Sequence, residues 1–171
     1  MKIYLKQQVF SWRDRFFVKD EFGDDRYVVE GELLAIGNRL HIYEMTGRRA
    51  ASIRQKVMSL LSRFFVEIDG RVVCEIVKDF TLFKQHYWLE GIPWRMDGDF
   101  LDHNYRLHDG FRQVMRMSKR WFTWGDSYEL DIFDPRDELL SLCVALAVNS
   151  SRGDDKVIRG PFHPLSRLLF R

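Results

Sequence analysis

The sequence predicts a mainly β fold: a closed antiparallel barrel of about twelve strands around one central hydrophobic helix. Three observations predict it. Short segments with period-two alternation are punctuated by hairpin turns along most of the chain. A single convincing helix, Asp134 to Ser150, is apolar on every side. Hairpin units also recur, as expected of a wall assembled from related pieces.

The helix organises the rest. Asp134 suits the N-cap and Pro135 the first helical position. Asp137 adds a carboxylate beside the helix N-terminus, where the backbone dipole favours it. From Leu139 to Val148 only Ser141 is polar. A surface helix keeps a polar stripe, so this one is expected to be buried all round. It falls short of the about 20 apolar residues that cross a bilayer.

The strands follow in order. Lys2–Phe10 and Arg15–Asp20 come first, with a turn at Phe22-Gly23-Asp24-Asp25. Arg26–Ile36 is long and carries Gly31, where a bulge or close backbone approach is expected. Gly37-Asn38 leads into Arg39–Met45, and Thr46-Gly47 into Arg49–Met58. Asp69-Gly70 is the strongest hairpin signal and joins Arg63–Ile68 to Arg71–Lys78. His86–Glu90, Pro93–Asp97, Asn104–Leu107 and Phe111–Lys119 follow, the last two joined by Asp109-Gly110. Asp126–Ile132 then runs into the helix cap. Tyr128, Leu130 and Ile132 share one face, as do Phe64, Val66 and Ile68, and Ala51, Ile53 and Val57. One apolar and one wet face per strand points to an antiparallel sheet with a single interior, and closure removes its edges.

Residues 6–18 match residues 54–66, each a strand, a short aromatic corner and a second strand. Further copies start at Phe122 and, more weakly, at Phe80. Glu30-Gly31-Glu32-Leu33 parallels Asp97-Gly98-Asp99-Phe100. The irregular spacing excludes a solenoid.

Of the 171 residues, 46% are hydrophobic and 30% charged, as in a globular domain. Residues 1–151 are expected to form the barrel with its helix at 135–150, and 152–171 a basic extension. That extension carries a local charge of +3 within a chain of +2. This balance alone argues neither for nor against nucleic acid, and no nucleic-acid partner is expected. Cys74 and Cys143 sit in apolar contexts without metal or redox spacing. MKIYLKQQ turns polar before an apolar signal region develops, so a cytoplasmic location, with peripheral membrane contact, is expected.

Phe10-Ser11-Trp12, Val29-Glu30-Gly31, Leu40-His41-Ile42-Tyr43, residues Trp121 to Ile132 and the DPRDELLSLCVALAV helix together resemble the bacterial LURP-one-related family. That family groups with Tubby C-terminal-like and phospholipid scramblase domains. The resemblance implies a twelve-stranded closed barrel around a central helix. It also implies membrane contact: Tubby domains bind phosphoinositide head groups through basic residues, scramblase relatives act at membranes, and plant members are linked to defence. No Tubby lipid-binding motif aligns residue by residue.

Arg54 and Lys56 share the wet face of one strand, and Arg112 and Arg116 one face of another, with Lys119 beyond. These five are the expected contacts for an anionic head group, against the plain reading of a solvated exterior. Trp12, Asp14, Trp124 and Asp126 recur as corners, which fits barrel-end plugs better than a ligand mouth. Asp97, Asp99, Asp102 and His103 form the densest acidic cluster, but lack calcium-loop spacing, and no metal or cofactor is expected. No HExxH, GxSxG or P-loop occurs, so no enzyme is expected. The leading expectation is a non-catalytic protein that binds anionic phospholipid or a membrane surface. The alternative is a protein-interaction or stress-regulatory module acting through residues 154–171 or an exposed strand. A lipocalin-like ligand cavity conflicts with a helix in the barrel.

Overall fold

The computed structural model describes residues 1–6, 15–32, 37–56, 61–80, 85–122 and 125–158. Twelve strands form one antiparallel sheet: β1 (Lys2–Lys6), β2 (Arg15–Asp20), β3 (Asp25–Glu32), β4 (Arg39–Glu44), β5 (Arg49–Lys56), β6 (Ser62–Ile68), β7 (Arg71–Phe80), β8 (Gln85–Glu90), β9 (Trp94–Asp99), β10 (Asn104–Asp109), β11 (Arg112–Phe122) and β12 (Gly125–Ile132). The order is β8-β7-β6-β5-β4-β3-β2-β1-β12-β11-β10-β9. Each strand neighbours its sequence neighbour except across β8–β9, and β1 zips to β12 from Lys2↔Asp131 to Lys6↔Ser127. The barrel is nearly closed, with its one break between β8 and β9.

The expected turns at Gly23, Thr46-Gly47 and Asp69-Gly70 hold, but Gly37-Asn38 makes no tight hairpin: Glu32 pairs with Arg39, so residues 33–38 form the connection, and 33–36 lie outside the described residues. Asp69 and Gly70 both have positive φ, 48° and 74°, as a two-residue hairpin turn of the inverted type requires. The expected bulge at Gly31 is corrected. Gly31 pairs with Leu40 in continuous register, and the irregularity of this strand lies instead at Arg26, the extra residue between Val18↔Tyr27 and Lys19↔Asp25. A glycine weakens a strand without obliging it to slip; the ladder with β4 fixes the register here. Gly98 does reflect a close approach. At φ 126° a Cβ there would lie 2.5 Å from the Asn104 carbonyl oxygen.

The inward set follows the predicted alternation, except that Ile68 is half-buried and Val57 lies outside the described residues. Phe64, Val66, Ile53, Tyr128, Leu130 and Ile132 are all buried. They join residues of α1 (Glu138–Ile158) in one core. A 3-10 turn, Pro135–Asp137, precedes α1, and Asp134 caps it by accepting the Arg136 amide at 3.0 Å. Every residue from Ser141 to Ser151 is buried. The helix touches β5 and β6 on one stretch of wall and β11 and β12 on another. It continues past the boundary expected at 151, to Ile158. Among the described residues no helix is long and apolar enough to cross a membrane.

Two ion pairs pin the helix start. Glu138, 6% exposed, accepts both Arg26 Nε and Nη2 at 2.8 Å, a fork joining β3 to the first helical turn. The carboxylate hydrogen bond holds the Arg26 guanidinium firmly charged, its pKa raised. Arg112 reaches Asp137 at 2.5 Å and Asp109 at 3.2 Å. On the wall itself Glu129, nearly buried, accepts from Lys2 and Arg120 at 3.0 Å each and from the Tyr4 hydroxyl at 3.2 Å.

Candidate ligand-binding faces

The five basic residues expected to contact an anionic head group lie on two separate stretches of wall. β5 and β11 are separated by five strands, β4, β3, β2, β1 and β12, in the order of the sheet, so their outer faces look away from each other. The two β11 arginines also differ. Leu107 pairs with Met115 but His108 with Gln113, so Val114 is an extra residue and the alternation slips. Arg112 therefore loses the face it would share with Arg116 and is engaged by Asp137 and Asp109. A classic bulge has this effect because two residues on one strand oppose one on the other. Lys119 follows the parity of buried Met115 and Met117 and is half-buried opposite Tyr128. Arg116 stays exposed on the outer wall.

Arg54 and Lys56 fare differently. Both are exposed and bracket Phe65 of β6, the Arg54 guanidinium 4.7 Å and the Lys56 ammonium 6.0 Å from the ring centroid. In the ladder Arg39 stands directly opposite Arg54, and Lys56 opposite Arg63. Four cations thus share one outer face across β4, β5 and β6. Arg63 is held by Glu75 at 2.6 Å, which keeps its guanidinium pKa raised. Among the described residues no carboxylate lies within ion-pair distance of Arg39, Arg54 or Lys56. Like charges directly opposed across strands cost stability, so this face is arranged against the interest of the fold alone. Arg39 escaped sequence reasoning because only the register places it beside Arg54.

The acidic cluster has a local explanation. One Asp99 carboxylate oxygen caps the amides of Leu101 and Asp102 at 2.9 and 3.1 Å, Asp97 meets His108 at 2.8 Å, and His103 meets Asn149 at 2.7 Å. Among the described residues no three metal-ligating side chains gather. Trp12, Asp14 and Trp124 lie outside the described residues, as does the Asp126 side chain, and so do residues 159–171 of the expected tail site.

An interior polar group was not foreseen. Lys78 follows Cys74 and Ile76 on the inner face and is fully buried, its Nζ donating to the Ser151 carbonyl at 3.3 Å. Tyr87 hydroxyl and Ser151 Oγ lie 2.9 Å apart. The signal was present: period two through Cys74, Ile76 and Lys78 points the lysine inward. A cleft of about 700 Å³ lies at the break between β8 and β9, lined by Trp88, Leu89, Ile92, Trp94 and Met96 among others.

Comparison with known proteins gives three findings. The model of the LURP-one-related family matches residues 1–149. The chain is 36% identical over 148 residues to the uncharacterized protein YxjI of Bacillus subtilis (strain 168), covering 86% of this chain and 90% of that one. An X-ray structure of a protein from Arabidopsis thaliana, AT5G01750, shares the fold with a TM-score of 0.54 at 14% identity, over 85% of this chain and 88% of that one.

Proposed function

The chain belongs to the LURP-one-related family, and from that premise we propose that it is a non-catalytic binding protein that docks on an anionic phospholipid surface through the outer face of β4–β6. The observation that carries this reading is the pair of opposed cation couples, Arg39–Arg54 and Lys56–Arg63, on one exposed wall. An anionic surface relieves the repulsion that the isolated fold endures. Each basic residue near such a surface contributes about 1 kcal/mol, so Arg39, Arg54 and Lys56 together supply about 3 kcal/mol. In this reading α1 runs as a central plug, supported by its complete burial from Ser141 to Ser151 and its contacts with two stretches of wall. A barrel filled by its own helix leaves recognition to the outside. The protein is then a cytoplasmic, peripheral one.

Sedimentation with mixed phosphatidylserine–phosphatidylcholine vesicles tests the reading. At low salt, where screening is weakest, the protein should pellet with anionic vesicles and stay free of neutral ones. Arg54→Ala with Lys56→Ala should weaken binding by about 2 kcal/mol, or ~30-fold. Arg116→Ala, on the opposed wall, should change it little. Equal losses from both walls, or no binding at low salt, would sink the proposal.

A further inference from the structure

Alternation along β8 and β9 gives the cleft between them a floor and a rim. On β8, Tyr87 is buried and Leu89 packs against the core, while His86 and Trp88 are exposed. On β9, Trp94 is buried and Met96 packs against the core, while Arg95 between them is exposed. Ile92 of the connection packs against the core as well. Both sets line the cleft. Its floor is therefore apolar, and Trp88, His86 and Arg95 stand at its rim. The lining covers residues 86–89 of β8, about 10 Å along the strand. Its volume of about 700 Å³ falls within the span of small-ligand sites, about 300–1,000 Å³. The connection is held in place: Gly91, at φ 90°, lies so close to β7 that a Cβ would sit 3.0 Å from the Val73 carbonyl oxygen. That end of the cleft is formed without a ligand.

The charge at the rim has one sign. The ionisable side chains that line the cleft are His86, Tyr87 and Arg95, and among the described residues no carboxylate does. The neighbouring acids are engaged elsewhere. Glu90 stands opposite Glu75 in the ladder with β7, where its charge adds to the Glu75 hydrogen bond that raises the Arg63 pKa. Asp97 meets His108 of β10 at 2.8 Å. Among the described residues no carboxylate lies within ion-pair distance of Arg95. Its guanidinium therefore offers a free planar fork, the shape that pairs with a carboxylate. Trp88 beside the same space is 49% exposed, and covering such a ring is favourable. An apolar floor, a half-bare indole and one unengaged cation complement an apolar body that carries a single negative charge.

We infer that the β8–β9 cleft binds an amphipathic carboxylic acid, its apolar body against Leu89, Ile92, Trp94 and Met96 beside the Trp88 ring and its carboxylate on Arg95. This site is separate from the β4–β6 wall and does not depend on that wall taking lipid. Isothermal titration of the full-length protein with decanoate, kept below micelle-forming concentrations, tests it. Decanol supplies the same chain without the charge. The wild-type chain should bind one decanoate, and decanol about tenfold more weakly, the scale of a hydrogen bond to a charged group. Arg95→Ala should weaken decanoate about tenfold and leave decanol unchanged. Trp88→Ala should weaken both alike. Both side chains are exposed, so both variants keep the fold. Arg54→Ala, on the β4–β6 wall, should change neither. Four results overturn the proposal: no decanoate bound by the wild-type chain, decanol bound as tightly as decanoate, Arg95→Ala binding decanoate like wild type, or Arg54→Ala matching the Arg95→Ala loss, which would assign the anion to the β4–β6 wall.

Discussion

Leu146→Ala is the sharpest test of how the helix is held. Leu146 lies in the run of α1 that is fully buried, and it belongs to the same core as the strand residues Ile53, Val66 and Leu130. Truncation to alanine loses the transfer free energy of the removed methyl and methylene groups, about 2 kcal/mol. The rigid wall and the helix backbone limit collapse into the space left behind, which raises the cost to about 3–5 kcal/mol. For a domain of this size that lowers Tm by about 10 °C. Leu139→Ala, only partly buried in the first helical turn, should cost about 1 kcal/mol and serves as the control. Urea unfolding followed by tryptophan fluorescence reads both, with an unchanged m-value certifying that only stability moved. A Leu146→Ala loss below about 1 kcal/mol, or equal to that of Leu139→Ala, would refute the close packing argued for this helix. The harsher substitutions Leu142→Asp and Leu146→Asp bury an unpaired carboxylate and should abolish folding. A cooperatively melting aspartate variant would contradict the burial outright.

Other expectations follow from the ion pairs, the thiols and the tight glycine. Arg26→Gln leaves nearly buried Glu138 without its fork and should cost about 2 kcal/mol in urea unfolding, less than a fully buried pair because Arg26 is itself 47% exposed; Glu138→Gln in the same chain should recover part of the loss. Burial pushes the Glu129 carboxyl up, but the hydrogen bonds from Arg120 and Lys2 outweigh it and hold the pKa below the usual range. A depressed carboxylate stabilises the fold above its unfolded pKa of about 4.3, and that contribution is lost as pH falls through the lower folded value. The stability gap between wild type and Glu129→Gln should therefore shrink as urea melts move from about pH 6 to about pH 3. Burial pushes the Cys74 thiol up to about 12 and the Cys143 thiol higher still. Neither should react with a thiol reagent at neutral pH until urea opens the barrel, and fast labelling in the native protein would contradict the sealed interior. Gly98→Ala forces a Cβ against the backbone of Asn104 and Tyr105 at an unfavourable φ, and should cost about 2–4 kcal/mol by thermal melt.

Period-two alternation, hairpin dipeptides and one all-apolar helix were enough to reach a barrel of twelve strands, because each is a local consequence of burial and backbone sterics. The helix cap was equally legible: Asp134 and Pro135 encode the start within two residues of each other. Charge placement was not. Arg54 and Lys56 gained Arg39 and Arg63 only through cross-strand register, which no single segment contains. Arg112 parted from Arg116 because one extra residue at Val114 reversed the alternation, and composition gives no hint of a bulge there. The acidic run at Asp97–His103 lacked calcium-loop spacing in sequence, but that Asp99 caps its own turn shows only in the structure.

By itself, then, the chain determined that its strands would curl into a barrel, that the apolar segment from Leu139 to Val148 would pack into the core, and which face of most strands would turn inward. Those choices follow from side-chain hydrophobicity at fixed periods, a property readable one segment at a time. Tertiary structure decided which charges meet, which lysine is buried and where the wall fails to close. Each of those depends on the registers and shifts accumulated around the sheet, and a single slipped residue re-aims everything beyond it.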